Sequence, residues 1–186
     1  MKSRLVVSSI LAAILLLAGC DAAKKTAAEA AVQGAQTAYS AVAEQANQYV
    51  PDQAKEVQAS IQTAKDAFDK GDYSAALEAA KSLPEKIKAL AAAASAKKDE
   101  LTAKWSAMSS SMPGLVSSVQ TKIDALTKSH KLPAGAADNM ATVKQTWSDA
   151  SSAFQSGKLQ DALSKASEAK EKLTQLQSML GMKPAA

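Results

Sequence analysis

The sequence predicts an all-α protein, an antiparallel bundle of about six helices built from two related three-helix units. Alanine, lysine, glutamate, glutamine and leucine, which favour helices, are abundant, and aromatic residues make up only 4%. Beyond the first twenty residues, apolar residues recur at alternating steps of three and four, as on one face of a helix. A segment of the chain also repeats at an offset of 86 residues. Each predicted helix therefore has one apolar stripe that needs a partner.

The start of the chain is interpreted as a secretion signal that lies outside the fold. Lys2 and Arg4 precede an uncharged apolar run over residues 5–17, which is shorter than the roughly 20 residues of a membrane-spanning helix. The run ends in Leu17-Ala18-Gly19-Cys20, which resembles the lipobox of bacterial lipoproteins. The resemblance implies cleavage between Gly19 and Cys20 after the thiol receives a diacylglycerol. Residues 1–19 are thus predicted to be a cleaved signal peptide.

Acylated Cys20 is expected to anchor the mature chain in a lipid bilayer. Two or three acyl chains, palmitate among them, anchor firmly because each buried methylene contributes about 0.8 kcal/mol. Cys20 is the only cysteine, so its use as a thioether leaves no disulfide and no cysteine metal site. Residues 20–25 are predicted to form the lipidated terminus and a short tether. Asp21 resembles the sorting signal of enteric lipoproteins, which favours the periplasmic face of the inner membrane over the outer membrane.

The composition of the mature chain argues against nucleic acid as a partner. After Gly19, 20 lysines face 18 acidic residues, and no arginine remains because Arg4 is the only one. Arginine provides bidentate phosphate contacts and stacks on bases, so its absence outweighs the basic pI of about 9.1. The lysines are also spread along the chain, with no block of like charge.

Prolines and glycines divide the mature chain into six predicted helices. Pro113 lies where the first turn of a helix tolerates proline, and Gly71 and Gly157 lie at helix ends. Pro84 falls inside the predicted third helix, where it removes a hydrogen bond, so a kink or break is expected near residue 83. The predicted helices cover residues 24–48, 52–70, 73–110, 113–129, 135–156 and 159–180.

The repeat indicates that the mature chain is a duplication. Residues 57–90 align without a gap with residues 143–176, and 11 of the 34 positions are identical. Both copies contain the pattern F-x-x-G-x-x-x-x-A-L, which resembles the hairpin of tetratricopeptide-type repeats over about 15 residues. The resemblance implies a left-handed turn at Gly71 and at Gly157, because glycine adopts positive φ without a steric clash. The two units are predicted over residues 26–110 and 111–182, followed by a C-terminal tail over 183–186.

The sequence lacks the residues that known catalytic and metal-binding motifs require. His130 is the only histidine and is predicted to lie in a solvated loop. Ser95-x-x-Lys98 and Ser167-x-x-Lys170 match the serine–lysine spacing of penicillin-interacting enzymes, but the companion motifs of those enzymes are missing. Acidic pairs such as Asp66/Asp69 are interpreted as solvated surface charges. We expect no catalytic residue, no cofactor and no metal site.

Four large apolar side chains are predicted to pack in the core rather than to bind a ligand. Trp105 and Trp147 lie on apolar stripes, and Met108 and Met112 extend the stripe of Trp105. A binding cleft lined by these side chains remains an alternative.

The function expected from these observations is binding without catalysis. We expect a membrane-anchored envelope lipoprotein whose helical module binds another envelope protein. A structural or cell-wall-associated lipoprotein is the main alternative, and an apolar-ligand carrier or an enzyme are further ones. The sequence leaves the oligomeric state open.

Overall fold

A computed structural model describes residues 21–183, and all regular secondary structure in this range is helical. The predicted all-α class is therefore confirmed. The helices are α1 (Asp21–Tyr49), α2 (Pro51–Asp69), α3 (Tyr73–Ala80), α4 (Leu83–Lys128), α5 (Ala136–Gln155) and α6 (Leu159–Met179).

The chain divides into two compact units between Lys97 and Lys98. Unit 1 contains α1, α2, α3 and the first part of α4, and unit 2 contains the rest of α4 with α5 and α6. Sequence analysis placed this boundary at residue 110, where a loop was expected before Pro113. That loop is absent because α4 continues through this segment, so the division falls within a helix.

Unit 1 is an antiparallel arrangement of helices joined by short turns. Val50 alone connects α1 and α2; its N–H donates to the Ala46 carbonyl, and its own carbonyl accepts from the Ala54 N–H. Half of the buried core positions are alanine, which lets the helix backbones approach closely. The core comprises Val32, Ala35, Ala46, Ala54, Val57, Ile61, Ala64, Ala80, Leu83, Ile87, Leu90 and Ala94.

Unit 2 packs α4, α5 and α6 around a core with larger side chains. Leu132 of the α4–α5 connection and Met182 beyond α6 pack against the edge of this core. The buried members are Met112, Val119, Ile123, Ala136, Met140, Val143, Ala169, Leu173, Leu176 and Leu180.

The interruption expected near residue 83 is present. Helix α3 ends at Ala80 and α4 begins at Leu83, with a turn between them. Pro84 therefore lies in the first turn of α4, where its missing N–H would have had no helical acceptor. Leu83 is 0% exposed and ties this junction to the core of unit 1.

The predicted separation of a helix over 73–110 from one over 113–129 is wrong. Helix α4 is continuous for 46 residues with Pro113 inside it. Met112 and Val119 are both fully buried, so the apolar stripe on either side of Pro113 packs in the core as one surface. Helical continuity there is stabilised by tertiary burial that exceeds the local cost of proline.

The two glycine turns of the repeat have the same backbone hydrogen bonds. The Gly71 N–H donates to the Phe68 carbonyl at 2.9 Å, and the Asp72 N–H donates to the Ala67 carbonyl at 3.0 Å. This pattern is a Schellman motif, which needs a left-handed residue, and Gly71 has φ 80°. In the second copy φ is 76° at Gly157. The equivalent bonds join Gly157 to Phe154 and Lys158 to Ala153 at 2.9 Å each.

A third Schellman turn ends α4, with His130 in the left-handed position. The His130 N–H donates to Thr127 at 3.0 Å and the Lys131 N–H to Leu126 at 2.9 Å. His130 has φ 55°, the only positive value at a non-glycine residue among those described. A side chain in this conformation costs roughly 1–2 kcal/mol.

Replacing His130 with glycine should stabilise unit 2. Relief of left-handed strain outweighs the extra entropy of glycine in the unfolded chain, so His130→Gly should raise the free energy of unfolding by about 0.5–1 kcal/mol. Gly157→Ala, at the same position of an equivalent turn, should lower it by about 1 kcal/mol. Urea denaturation followed by circular dichroism measures both. A destabilised His130→Gly variant would contradict the strain argument.

The two prolines of α4 should differ in their effect on stability. Pro113→Ala restores a helical N–H in the helix interior and should raise the free energy of unfolding by about 1–3 kcal/mol. Pro84→Ala, in the first turn, is the matched control and should change it by less than about 0.5 kcal/mol. Thermal and urea unfolding compare the two variants, and equal effects would show that Pro113 does not strain α4.

Candidate functional site

Gly19 and Cys20, the predicted cleavage and lipidation residues, lie outside the described residues. Asp21 is the first described residue and is part of α1. Residues 21–25, predicted as part of a tether, are helical instead, because alanine and lysine favour helix and α1 extends through them. The chain is thus helical from the first described residue onward.

The hairpin glycines Gly71 and Gly157 are turn residues at the surface. A Cβ atom added at either would meet nothing within 4 Å, so the positive φ alone favours glycine there. These residues position the helices on either side of each turn, and both are exposed to solvent.

The polar residues considered for chemistry are dispersed on helix surfaces. His130, Ser95, Lys98, Ser167 and Lys170 are all exposed. Within residues 21–183, no three His, Cys, Asp or Glu side chains are grouped so that they could hold a metal ion.

Asp66 and Asp69 of α2 each accept a hydrogen bond from a side chain one turn away on the same helix. Lys65 donates a hydrogen bond to Asp69, and this bond with the Asp69 charge raises the pKa of the Lys65 ammonium group. Gln62 donates to Asp66 at 2.6 Å. Both contacts span one helical turn at the surface, as expected for solvated charges.

Met108 and Met112, which were expected to pack together in the core, differ in their burial. Met112 is 0% exposed in the core of unit 2, whereas Met108 is half-buried. Met108 borders a shallow depression of about 480 Å³ between α4 and α6. Its other lining residues are Leu101, Lys104, Ala107, Leu163, Ser164 and Ser167.

Three aromatic rings form a stacked column in unit 2, which we call the aromatic column: Trp105, Trp147 and Phe154. Trp105 stacks on Trp147 with centroids 5.5 Å apart and planes inclined by 11°, and on Phe154 at 4.7 Å and 13°. Trp147 and Phe154 are seven residues apart on α5, so they lie two turns apart on one face. Trp105 is 7% exposed, whereas Phe154 is 38% exposed.

Sequence analysis did not foresee the column as a unit. Phe154 lies at the surface, with one face of its ring stacked on Trp105 of α4. The seven-residue spacing of Trp147 and Phe154 is a visible signal that they share a face. Nothing local to α5 indicates that Trp105, more than forty residues earlier in the sequence, stacks on them.

Unit 1 has a different aromatic contact at its equivalent turn. Phe68 contacts Tyr73 with centroids 5.4 Å apart and ring planes inclined by 55°. The position of Trp147 is occupied in the first copy by Ile61, which is 6% exposed. The repeat therefore preserves the turn while the aromatic side chains around it differ.

A groove between α4 and α5 contains the half-buried ring of Trp147, and we call it the Trp147 groove. Its volume is about 580 Å³ and it is open to solvent. Lys144 Nζ donates to Gln120 Oε1 at 2.7 Å, and Gln120 Nε2 donates to Asp124 Oδ1 at 2.8 Å. The lining comprises Pro113, Val116, Ser117, Gln120, Thr121 and Asp124 of α4 with Lys144 and Trp147 of α5.

Comparison with known proteins leaves the family of the chain undefined. No family model matches the chain, and neither the curated proteins nor the solved structures contain a significant match. Over residues 21–183, none of the helices combines the length and apolarity that crossing a membrane requires.

Stability measurements should show that the aromatic column is anchored by Trp105. Trp105→Ala removes a buried ring and should lower the free energy of unfolding by about 3–5 kcal/mol. Phe154→Ala should cost about 1 kcal/mol, and the double variant should reveal a coupling of about 0.5–1.5 kcal/mol. Met179→Ala, at an equally exposed apolar side chain (43%), is the control and should change stability by less than about 0.5 kcal/mol. Additive effects at Trp105 and Phe154 would contradict the stacking.

Proposed function

We propose that the mature chain is a lipid-anchored helical module of the bacterial cell envelope that binds another envelope protein and catalyses no reaction. The lipobox-like segment Leu17-Ala18-Gly19-Cys20 supports the anchor. The observation that carries the proposal furthest is that Asp21, which directly follows the proposed acylation site, is already helical.

Because residues 21–25 are helical, no flexible spacer separates the proposed anchor from α1. One residue of extended chain spans at most about 3.6 Å, so the acyl chains on Cys20 would hold α1 at the bilayer surface. A folded module in that position meets proteins of the same leaflet. The resemblance of Asp21 to an inner-membrane sorting signal favours the periplasmic face of the inner membrane.

The surface of unit 2 supports binding through apolar contacts. Phe154 and Met179 are large apolar side chains that remain about two-fifths exposed. Leu101, Met108 and Leu163 are half-buried around the depression between α4 and α6. Aromatic and methionine side chains are enriched at surfaces that bind other proteins.

A structural lipoprotein is the second candidate. Prolines were expected to interrupt any long helix, yet α4 is continuous for 46 residues through Pro113. A long continuous helix is compatible with a spacer role in the envelope. In that role the chain would need no discrete partner on unit 2.

Removal of the anchor and crosslinking in cells test this proposal together. Cys20→Ala should abolish incorporation of labelled palmitate and release the chain from the membrane fraction, whereas Asp21→Ala should keep the label. A photo-crosslinking residue at Phe154 should form a discrete adduct with a membrane-associated envelope protein, and this adduct should be lost in Cys20→Ala. The same residue at Gln175, exposed on α6, is the positional control.

Two outcomes would contradict the proposal at separate steps. Unchanged palmitate labelling in Cys20→Ala would refute the lipoprotein assignment. Normal labelling without any adduct from Phe154 would reject binding through this face and favour the structural candidate.

A further inference from the structure

The two copies of the repeat differ at the position of Trp147. The first copy has Ile61 at this position, fully within the core at 6% exposure. Trp147 is half-buried and lines a groove that is open to solvent. The second copy therefore presents an aromatic surface that an aliphatic side chain would not provide.

Hydrogen-bonding groups lie beside this aromatic surface. Lys144, Gln120 and Asp124 form a continuous chain of hydrogen bonds at 2.7 and 2.8 Å. The charges of Lys144 and Asp124 compensate each other, so the groove has no net charge. The remaining protons of the Lys144 ammonium and the free lone pairs of the Asp124 carboxylate can still bond a ligand. The hydroxyl oxygens of Ser117 and Thr121 add acceptors along α4.

The shape of the groove selects an extended ligand. Its lining on α4 runs from Pro113 to Asp124, a helical rise of about 16 Å. An apolar small molecule prefers an enclosed cavity that removes most of its surface from water, and this groove is open. A phosphate-rich ligand would need an excess of cations, and the lining has one lysine, Lys144, and one carboxylate, Asp124.

We propose that the Trp147 groove binds a neutral oligosaccharide, with one sugar ring stacked on the face of the Trp147 indole opposite Trp105. A pyranose has a face of C–H groups that packs on the electron-rich face of an aromatic ring. Its hydroxyl groups are both donors and acceptors, which suits the mixed amide, carboxylate and ammonium groups of Gln120, Asp124 and Lys144. This ligand class goes beyond the proposed protein partner and does not depend on the lipid anchor.

The test titrates the soluble chain from Asp21 to Ala186 with three neutral probes: chitohexaose, cellohexaose and maltohexaose. Calorimetry and amide chemical shifts report binding, and at least one probe should saturate with a Kd on the order of 0.1–1 mM. The shifts should be confined to the α4–α5 groove. Trp147→Ile and Gln120→Ala should each weaken binding at least about tenfold.

The variants are chosen so that loss of binding is not loss of folding. Trp147→Ile introduces the residue that the first copy has at this position, and unfolding curves verify that the variant is folded. Gln145→Ala is the matched control, because Gln145 donates to Asp149 at 2.9 Å in the same one-turn geometry as Gln120 to Asp124. Gln145 is not part of the groove lining, so this variant should bind like the parent chain.

Three results would overturn the proposal. The first is no saturable binding of any probe up to about 20 mM. The second is undiminished affinity in a folded Trp147→Ile variant. The third is equal weakening by Gln120→Ala and Gln145→Ala, which would indicate a general effect of the substitution.

Discussion

Burial of a single apolar stripe on each helix is the constraint on which the rest of the structure depends. In unit 1 that stripe is largely alanine, and Ala46, Ala54 and Ala64 are completely buried. Burial stabilises the fold by about 25 cal/mol per Å² of apolar surface, and each small side chain buries little of it. Stability therefore depends on close approach of the helices along their whole length. The short turns at Val50 and Gly71 keep neighbouring helices aligned for this contact. Charged side chains are consequently directed to the outside, which explains why the polar pairs are solvated.

The same constraint acts differently in unit 2, where larger side chains fill the core. Met112, Val119 and Leu173 occupy buried positions, and Trp105 adds a ring that stacks on two rings of α5. The stack leaves Phe154 and Trp147 partly exposed. Unit 1 has Ile61 at the position of Trp147, and its Phe68 contacts Tyr73 instead of a tryptophan. Each of the two proposed binding surfaces, one for a protein and one for a saccharide, includes one of the partly exposed rings of unit 2.

The proposed anchor and the fold are linked by the helical conformation of residues 21–25. If Cys20 is acylated as proposed, a helix that includes Asp21 would turn the lipid attachment into a positional restraint on α1. Binding at a membrane surface benefits from such restraint, because it raises the effective concentration of partners in the same leaflet. The helical conformation of residues 21–25 therefore supports the proposed envelope role more than any polar cluster among the described residues does.

The sequence by itself determined the features that depend on neighbouring residues. The all-α class follows from helix propensity and apolar periodicity, and the interruption before Pro84 follows from the geometry of proline. The positive φ values at Gly71 and Gly157 lie where the repeated pattern expects a left-handed turn. Tertiary structure alone decided that α4 passes through Pro113 and that the boundary between the two units falls within this helix. It also decided that Trp105 stacks on α5 and leaves Phe154 exposed. These outcomes depend on contacts between residues far apart in the chain, whose burial energy exceeds the local preference of any one segment.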